Sequence, residues 1–110
     1  MAWCRKSTSL PVDGHTQRVK DRIAKKYNVR GLVQGVGFRA FVQYSAEPMG
    51  VKGWVRNLDD GSVEVYAIGT LEQLSELEGY LWRGPRWSEV RGVTVKEDVI
   101  DAGVRNFRIR

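Results

Sequence analysis

The chain passes from an expected strand into an expected helix through Val33-Gln34-Gly35-Val36-Gly37-Phe38-Arg39. Glycine adopts backbone angles that strain other residues, so two glycines in a short turn allow several N–H groups to point into one concavity. Such a concavity binds anions, and the positive end of the dipole of the following helix strengthens the attraction. We therefore predict an anion-binding loop formed by Gln34, Gly35, Val36, Gly37 and Phe38.

Arg39 falls in the first turn of the expected helix. The helix dipole disfavours a cation there, by about 0.3–1 kcal/mol when the side chain is exposed. An anion held by the loop would remove this conflict, because the guanidinium group would then be its second partner. Because short Gly-x-Gly runs are weak signals, the alternative stays open that Arg39 is solvated or paired with a distant carboxylate.

The segments on either side of the loop have clear periodicities. Apolar side chains alternate along residues 24–33, which predicts a half-buried strand, and Gly31 within it suggests that something packs closely on that face. Apolar side chains recur at helical spacing along residues 38–49. Pro48 disfavours helical geometry just before it, so we expect this helix to stop early or distort, with Gly50 at its C-terminal turn.

A hairpin and a second helix follow. Strands are expected over residues 51–57 and 62–68, joined by a turn at Asp60-Gly61, which is a strong hairpin signal. Thr70 and Gln73 have the spacing of a capping box, which marks the start of a helix. The buried face of this helix is expected to carry Leu71, Leu74, Leu77 and Leu81, and Gly84-Pro85 is expected to end it.

Two more strands are expected over residues 90–99 and 105–110. The order β-α-β-β-α-β plus a short terminal strand predicts an α+β fold of the ferredoxin-like, split β-α-β type, with two helices on one face of an antiparallel sheet. The crossover helix makes the first two strands parallel, and the third strand lies between them. Their ends therefore meet at one edge, roughly 9–10 Å apart. Asn57, at the end of the second strand, would lie within reach of a phosphoryl group on the loop.

Composition limits the possible functions. Residues 1–22 contain five Lys or Arg against two Asp or Glu, and residues 23–110 contain thirteen against eleven. We expect a flexible basic leader over 1–22 and a folded domain over 23–110, whose balanced charge does not favour a surface that follows nucleic-acid phosphates. The single cysteine, Cys4, excludes an internal disulfide and a Cys-based zinc site. No apolar run approaches the roughly 20 residues of a membrane span, and we expect a cytoplasmic protein.

A second motif, Gly53-Trp54-Val55-Arg56-Asn57, follows the predicted helix. The chain also contains residues 33–39, the run Asp60-Gly61-x-Val63-Glu64, the pair Gly84-Pro85 and Phe107. Together with the second motif, these features make residues 25–110 resemble the acylphosphatase family. The resemblance implies the fold derived above and the hydrolysis of acyl phosphates to a carboxylate and phosphate. It implies that Arg39 binds the phosphate, that Asn57 orients the attacking water, and that residues 34–38 form a backbone cradle.

The resemblance implies no metal and no organic cofactor. The expected partner is a small-molecule acyl phosphate, with phosphate as product or competing anion, and a monomer is the default expectation. The chain departs from the family pattern at Pro48, at Arg86, where many relatives have a second proline, and in its long leader. We expect Pro48 to affect stability and Arg86 to leave the chemistry unchanged.

Two alternatives use the same fold. A nucleic-acid-binding module would stack bases on aromatic side chains of the central strands, and Tyr27 and Tyr66 occupy such strands. The aromatic motif of those modules is absent, because Lys52-Gly53-Trp54 begins like it and then diverges.

The chain could also be an accessory domain of a larger maturation or carbamoyl-transfer enzyme. Its lack of cysteine pairs favours a free-standing enzyme.

Overall fold

A computed structural model describes residues 22–110, which form five strands and two helices. The predicted leader lies outside the described residues, apart from Arg22. The strands are β1 (Ile23–Leu32), β2 (Lys52–Asn57), β3 (Val63–Gly69), β4 (Glu89–Asp98) and β5 (Phe107–Ile109). The helices are α1 (Phe38–Ala46) and α2 (Leu71–Arg83). The predicted succession of elements is confirmed.

The strands form one sheet in the order β4-β1-β3-β2-β5. β3 lies between β1 and β2 and is antiparallel to both, as expected from the crossover. β4 is antiparallel to β1, whereas β5 runs parallel to β2. The expectation of an antiparallel sheet therefore holds for the four longer strands, and β5 makes the whole sheet mixed. This order brings the ends of β1 and β2 to the same edge.

Both helices pack on one face of the sheet. α1 contributes Phe38, Val42 and Ala46 and α2 contributes Leu74, Leu77 and Leu81 to a single buried cluster with the inward side chains of the strands. The prediction that Leu71 is buried was wrong, since its side chain is 59% exposed. Leu71 occupies the first position of α2, at the end of the packed face. Neither described helix is long and apolar enough to cross a membrane.

The ends of the helices follow their local sequence. α1 stops at Ala46 and continues as a 3-10 turn, Glu47–Met49, that includes Pro48. Gly50 closes this turn in a left-handed conformation with φ of 77°, so the predicted early stop is confirmed. At α2, the Thr70 hydroxyl accepts a hydrogen bond from the Gln73 N–H at 3.1 Å, and Thr70 N–H donates to Gln73 Oε1 at 2.9 Å. The predicted capping box is therefore present.

The two central-strand tyrosines are both covered. Tyr27 is fully buried in the core, where its hydroxyl donates to the Leu74 carbonyl at 3.3 Å. Tyr66 lies on the opposite face, only 5% exposed, because Trp54 stacks on it at 5.6 Å and the segment after β4 holds its hydroxyl. That hydroxyl donates to the Val99 carbonyl at 2.6 Å and accepts from Asp101 N–H at 2.9 Å. Neither tyrosine presents a free ring for stacking of a nucleic-acid base.

Candidate functional site

A cleft of about 190 Å³ lies at the edge where β1 and β2 end. We call it the glycine cleft. Its walls include Gly35, Gly37, Phe38, Arg39, Asn57 and Ile109. The loop after β1, the first turn of α1, the end of β2 and the last residue of β5 thus meet at one place. The cleft unites two parts of the sequence that we expected to lie close together, the glycine loop and Asn57.

Backbone conformation explains why the loop has two glycines. Gly35 and Gly37 have φ angles of 77° and 78°, in the left-handed region. A Cβ atom at either position would meet no heavy atom within 4 Å, so steric crowding does not explain the glycines. An L-residue in this region costs roughly 1–2 kcal/mol. The same open space leaves the backbone of the loop accessible to a ligand.

The N-terminus of α1 has no internal compensation for its positive dipole. Gly37 is the N-cap residue, no side chain of the described residues caps the helix, and the first turn contains no acidic residue. The first N–H groups of a helix have no partner within the helix. An anion in the glycine cleft would satisfy them and interact favourably with the dipole.

Arg39 extends the positive charge of this wall. Its side chain is half-buried, and Nη1 donates to the main-chain oxygen of Arg110 at 3.3 Å. Within residues 22–110 it forms no ion pair with an Asp or Glu side chain. A guanidinium group has five N–H donors, and the bond to Arg110 uses one of them. The remaining donors make no hydrogen bond to an acceptor in the described residues, 22–110.

Asn57 supplies the opposite wall. It is the last residue of β2, it pairs with Val63 of β3, and its side chain is exposed. In the part of the chain that the structure describes, its amide group makes no hydrogen bond to a protein partner. The strand pairing therefore fixes the backbone at this position, while neither the carbonyl nor the NH₂ group of the side chain is bonded to another residue of 22–110.

Two residues of the predicted loop have other surroundings. Val36 packs against the main core cluster. The Gln34 side chain turns to the β2–β3 turn, where Nε2 donates to the carbonyls of Leu58 at 2.8 Å and Ser62 at 2.9 Å. The participation of their backbone N–H groups in an anion cradle stays a prediction, and the bonds of the Gln34 side chain were missed. These bonds could not be predicted from the sequence, because their acceptors are backbone carbonyls distant in the chain.

Ile109 is a wall residue of the glycine cleft that was not predicted as part of the site. It pairs with Val55 in the parallel β2–β5 ladder, and its side chain is 40% exposed. Phe107, two residues earlier, points into the core. Alternate residues of a strand share a face, so Ile109 lies on the same side of the sheet as Phe107, which is the side of the helices. This placement could have been inferred from the predicted last strand.

The β2–β3 turn is itself held by polar contacts. Ser62, only 3% exposed, donates to Asp60 Oδ1 from its hydroxyl at 2.6 Å and from its N–H at 2.9 Å. These bonds, chiefly the one from the hydroxyl, lower the pKa of the Asp60 carboxyl from its ordinary value. Asn28 of β1 donates to the same hydroxyl at 2.9 Å. The turn that follows Asn57 is therefore bonded to β1.

A larger cleft, of about 420 Å³, surrounds Trp54 on the face of the sheet away from the helices. Arg105, Arg108 and Arg110 contribute to its walls, and the Arg110 guanidinium group lies 4.6 Å from the centre of the indole ring. This cleft has neither the loop glycines nor Asn57. Among the described residues no three His, Cys, Asp or Glu side chains are grouped so as to hold a metal ion.

Known proteins share this sequence and architecture. Residues 25–109 match the acylphosphatase family model. An acylphosphatase of Solibacter usitatus (strain Ellin6076) is 55% identical over 87 residues, which cover 79% of this chain and 90% of the relative. The structure of an acylphosphatase from Coxiella burnetii aligns with a TM-score of 0.78 at 38% identity, over 86% of this chain and 99% of that one.

The same fold also occurs within a much longer protein. The crystal structure of full-length HypF in its phosphate- and nucleotide-bound form aligns with a TM-score of 0.72 at 25% identity. The alignment covers 81% of this chain and only 12% of HypF, whereas the acylphosphatases are covered almost completely. The family match over residues 25–109 and the 55% identity lead to one conclusion: the chain belongs to the acylphosphatase family, enzymes that hydrolyse acyl phosphates.

Proposed function

We propose that the glycine cleft is the active site, in which the loop and Arg39 bind the phosphoryl group of an acyl phosphate and Asn57 orients the attacking water. The supporting observation is the convergence of an uncapped helix N-terminus, two left-handed glycines, Arg39 and Asn57 on a single cleft. We further propose that the protein acts as a monomer in the cytoplasm.

The chemistry requires positioning more than acid–base groups. The substrate is a mixed anhydride, in which a phosphoryl group is bonded to a carboxylate oxygen. The water oxygen forms a bond to phosphorus while the bond between phosphorus and the carboxylate oxygen breaks. The carboxylate is a weakly basic leaving group, so its departure needs little help from a general acid. Orientation and stabilisation of negative charge are then the main contributions of the protein, as in other phosphoryl transfers.

Arg39 and the loop fit this role. The planar guanidinium group can donate two parallel hydrogen bonds to phosphoryl oxygens. The N–H groups of the loop and of the first turn of α1 would bind the remaining oxygens. Because these donors are fixed by backbone conformation, they need no rearrangement as charge shifts during the reaction.

Asn57 fits the role of orienting water. Its amide carbonyl accepts a hydrogen bond and its NH₂ group donates one, which is enough to fix the direction of a water molecule. An amide does not take up a proton near neutral pH. The proton of the attacking water therefore passes to an oxygen of the substrate phosphate, which is the only basic group that the proposed chemistry requires.

The size of the cleft favours small substrates. Its volume of about 190 Å³ is below the roughly 300–1,000 Å³ of sites for drug-sized ligands. Phe38 and Ile109 give it an apolar wall that suits the acyl group. We propose small acyl phosphates as substrates, with inorganic phosphate as a product and competing anion.

Substitution of Arg39 tests the proposal directly. Arg39→Ala should lower kcat for benzoyl phosphate by at least about 10³-fold, because an arginine that stabilises phosphoryl transfer contributes about that much. It should also abolish competition by inorganic phosphate. Arg108→Ala is the matched control, since Arg108 is an exposed arginine on the other face, and it should keep wild-type turnover. A folded Arg39→Ala protein with wild-type kcat would rule out the proposed role.

Asn57→Ala should separate binding from chemistry. Without the oriented water, kcat should fall about 10²-fold, the typical effect of lost positioning, while the inhibition constant of phosphate stays within about twofold. Asn106→Ala, in the larger cleft, is the control and should behave as the wild-type protein does. Equal losses of kcat and phosphate affinity in Asn57→Ala would instead assign Asn57 to phosphate binding.

A further inference from the structure

We propose that Gln34 is a positioning residue, whose side-chain amide fixes the distance between the glycine loop and Asn57. This inference rests on the proposed function of the glycine cleft. Gln34 begins the loop that would hold the phosphoryl group. Its Nε2 donates to Leu58 and Ser62, which flank the turn directly after Asn57. One side chain thus connects the two walls between which the water must attack.

The bonds of Gln34 are short and partly buried, at 2.8 and 2.9 Å. Both hydrogens of one amide group are used, which fixes the orientation of the group as well as its position. A single bond would allow the turn to pivot about the acceptor. Two bonds to carbonyls on either side of the turn hold it in one orientation relative to the loop.

Gln34 adds little to the fold itself. The Leu58 carbonyl also accepts from Gly61 N–H at 3.2 Å, and the Ser62 carbonyl also accepts from Leu58 N–H at 2.8 Å. Both carbonyls would therefore keep a partner without Gln34. The turn would also remain attached to β1 through the bond from Asn28 to Ser62. Loss of the amide should loosen the alignment of Asn57 without unfolding the sheet.

Alignment matters more than stability for this chemistry. In-line attack needs the water, phosphorus and leaving oxygen to be nearly collinear, and a misplacement of about 1 Å by a remote substitution can cost 10²-fold in rate. The phosphoryl group would still be bound by Arg39 and the loop. The structure therefore leads us to expect a loss of kcat with little loss of phosphate affinity.

The experiment compares Gln34→Met with Gln73→Met. Gln73 is a matched control, because its side chain also makes two hydrogen bonds, to Thr70 N–H and to the Met49 carbonyl, outside the cleft. Gln34→Met should lower kcat for benzoyl phosphate about 10- to 100-fold and leave the phosphate inhibition constant within twofold. Gln73→Met should lower Tm by at least as much and keep wild-type kcat. If Gln34→Met keeps wild-type kcat, or loses phosphate affinity in parallel with kcat, the inference is overturned.

A double-mutant cycle identifies the residue through which Gln34 acts. In an Asn57→Ala background, Gln34→Met should cause less than a twofold further loss of kcat, because the water is already unoriented. Multiplicative losses would overturn a role through Asn57. If Gln34→Met does not fold, Gln34→Asn, whose amide is shorter by one methylene, takes its place in the same cycle. An unimpaired Asn57→Ala protein would refute the proposed function, whereas an impaired Asn57→Ala with an unimpaired Gln34→Met would refute only this inference.

Discussion

Tyr27 places a hydroxyl group in the middle of an apolar core. The side chain is fully buried, and the only bond of the hydroxyl in the described part of the chain is a long one, of 3.3 Å, to the Leu74 carbonyl. Burial raises the pKa of Tyr27 far above the ordinary tyrosine value of 10.0, and the negative charge of Glu78 raises it further. The folded protein therefore holds this proton more tightly than the unfolded chain does.

The consequence is a specific sensitivity to alkali. Because the pKa is raised in the folded state, the contribution of Tyr27 to stability is complete below pH 10 and is lost as the pH rises above that value. We expect the urea midpoint of the wild-type protein to fall between pH 9 and 12. Tyr27→Phe should show a shallower fall, at a cost of about 1 kcal/mol at neutral pH for the lost hydrogen bond.

Tyr44→Phe is the control for this measurement, since Tyr44 is 79% exposed, and its pH profile should match that of the wild-type protein. Some sensitivity should remain in Tyr27→Phe, because burial also raises the pKa of Tyr66. An equally steep loss in Tyr27→Phe and wild-type protein would show that other groups govern unfolding in alkali.

Single residues differ in how far their surroundings could be predicted. The position of Arg39 beside two glycines and a helix N-terminus could be predicted, because its immediate neighbours in the sequence fix it. Asn57 needed one more step, the rule that a crossover makes β1 and β2 parallel. The bonds of Gln34 could not be predicted, because Leu58 and Ser62 offer only backbone carbonyls, which every residue has.

At the scale of elements, α2 depends on its capping box. Thr70→Ala should destabilise the protein by about 1 kcal/mol, since it removes the acceptor for Gln73 N–H. For a domain of this size the expected loss in Tm is about 4–8 °C. Turnover at 25 °C should not change, because the cap is not part of the glycine cleft. Thr70→Ser keeps a hydroxyl and should recover most of the loss in a thermal melt; an equal loss in both variants would argue against the cap.

The elements themselves were largely predictable because their signals are local. Pro48 and Gly50 determine where α1 stops, and Thr70 with Gln73 determines where α2 starts. Gly31 was expected to have a close neighbour on one face, and a Cβ there would collide with the backbone of Glu89 in β4. The burial of Leu71 was predicted wrongly. Helical spacing indicates on which face of a helix a residue lies, but it does not indicate how far along the helix that face is packed against the sheet.

At the scale of the whole molecule, the order β1-β3-β2 followed from connection rules, and the places of β4 and β5 did not. A three-residue strand has too weak a pattern to indicate its partner. Its parallel pairing with β2 depends on the path of residues 99–106, including the bonds that hold Tyr66 to Val99 and Asp101. These contacts join distant parts of the chain through backbone groups, as those of Gln34 do.

The central position of β1 also determines when the protein can fold during synthesis. β1 pairs with β3 on one side and with β4 on the other, so its neighbours are made long after it. At about 5–20 residues per second, a ribosome needs roughly 3–13 s to proceed from the end of β1 to the end of β4. Such distant pairings also form slowly, in milliseconds to seconds. The nascent chain therefore carries Arg39 and Asn57 before the sheet around β1 is complete, and the fold that aligns them is finished only after β4 has been made.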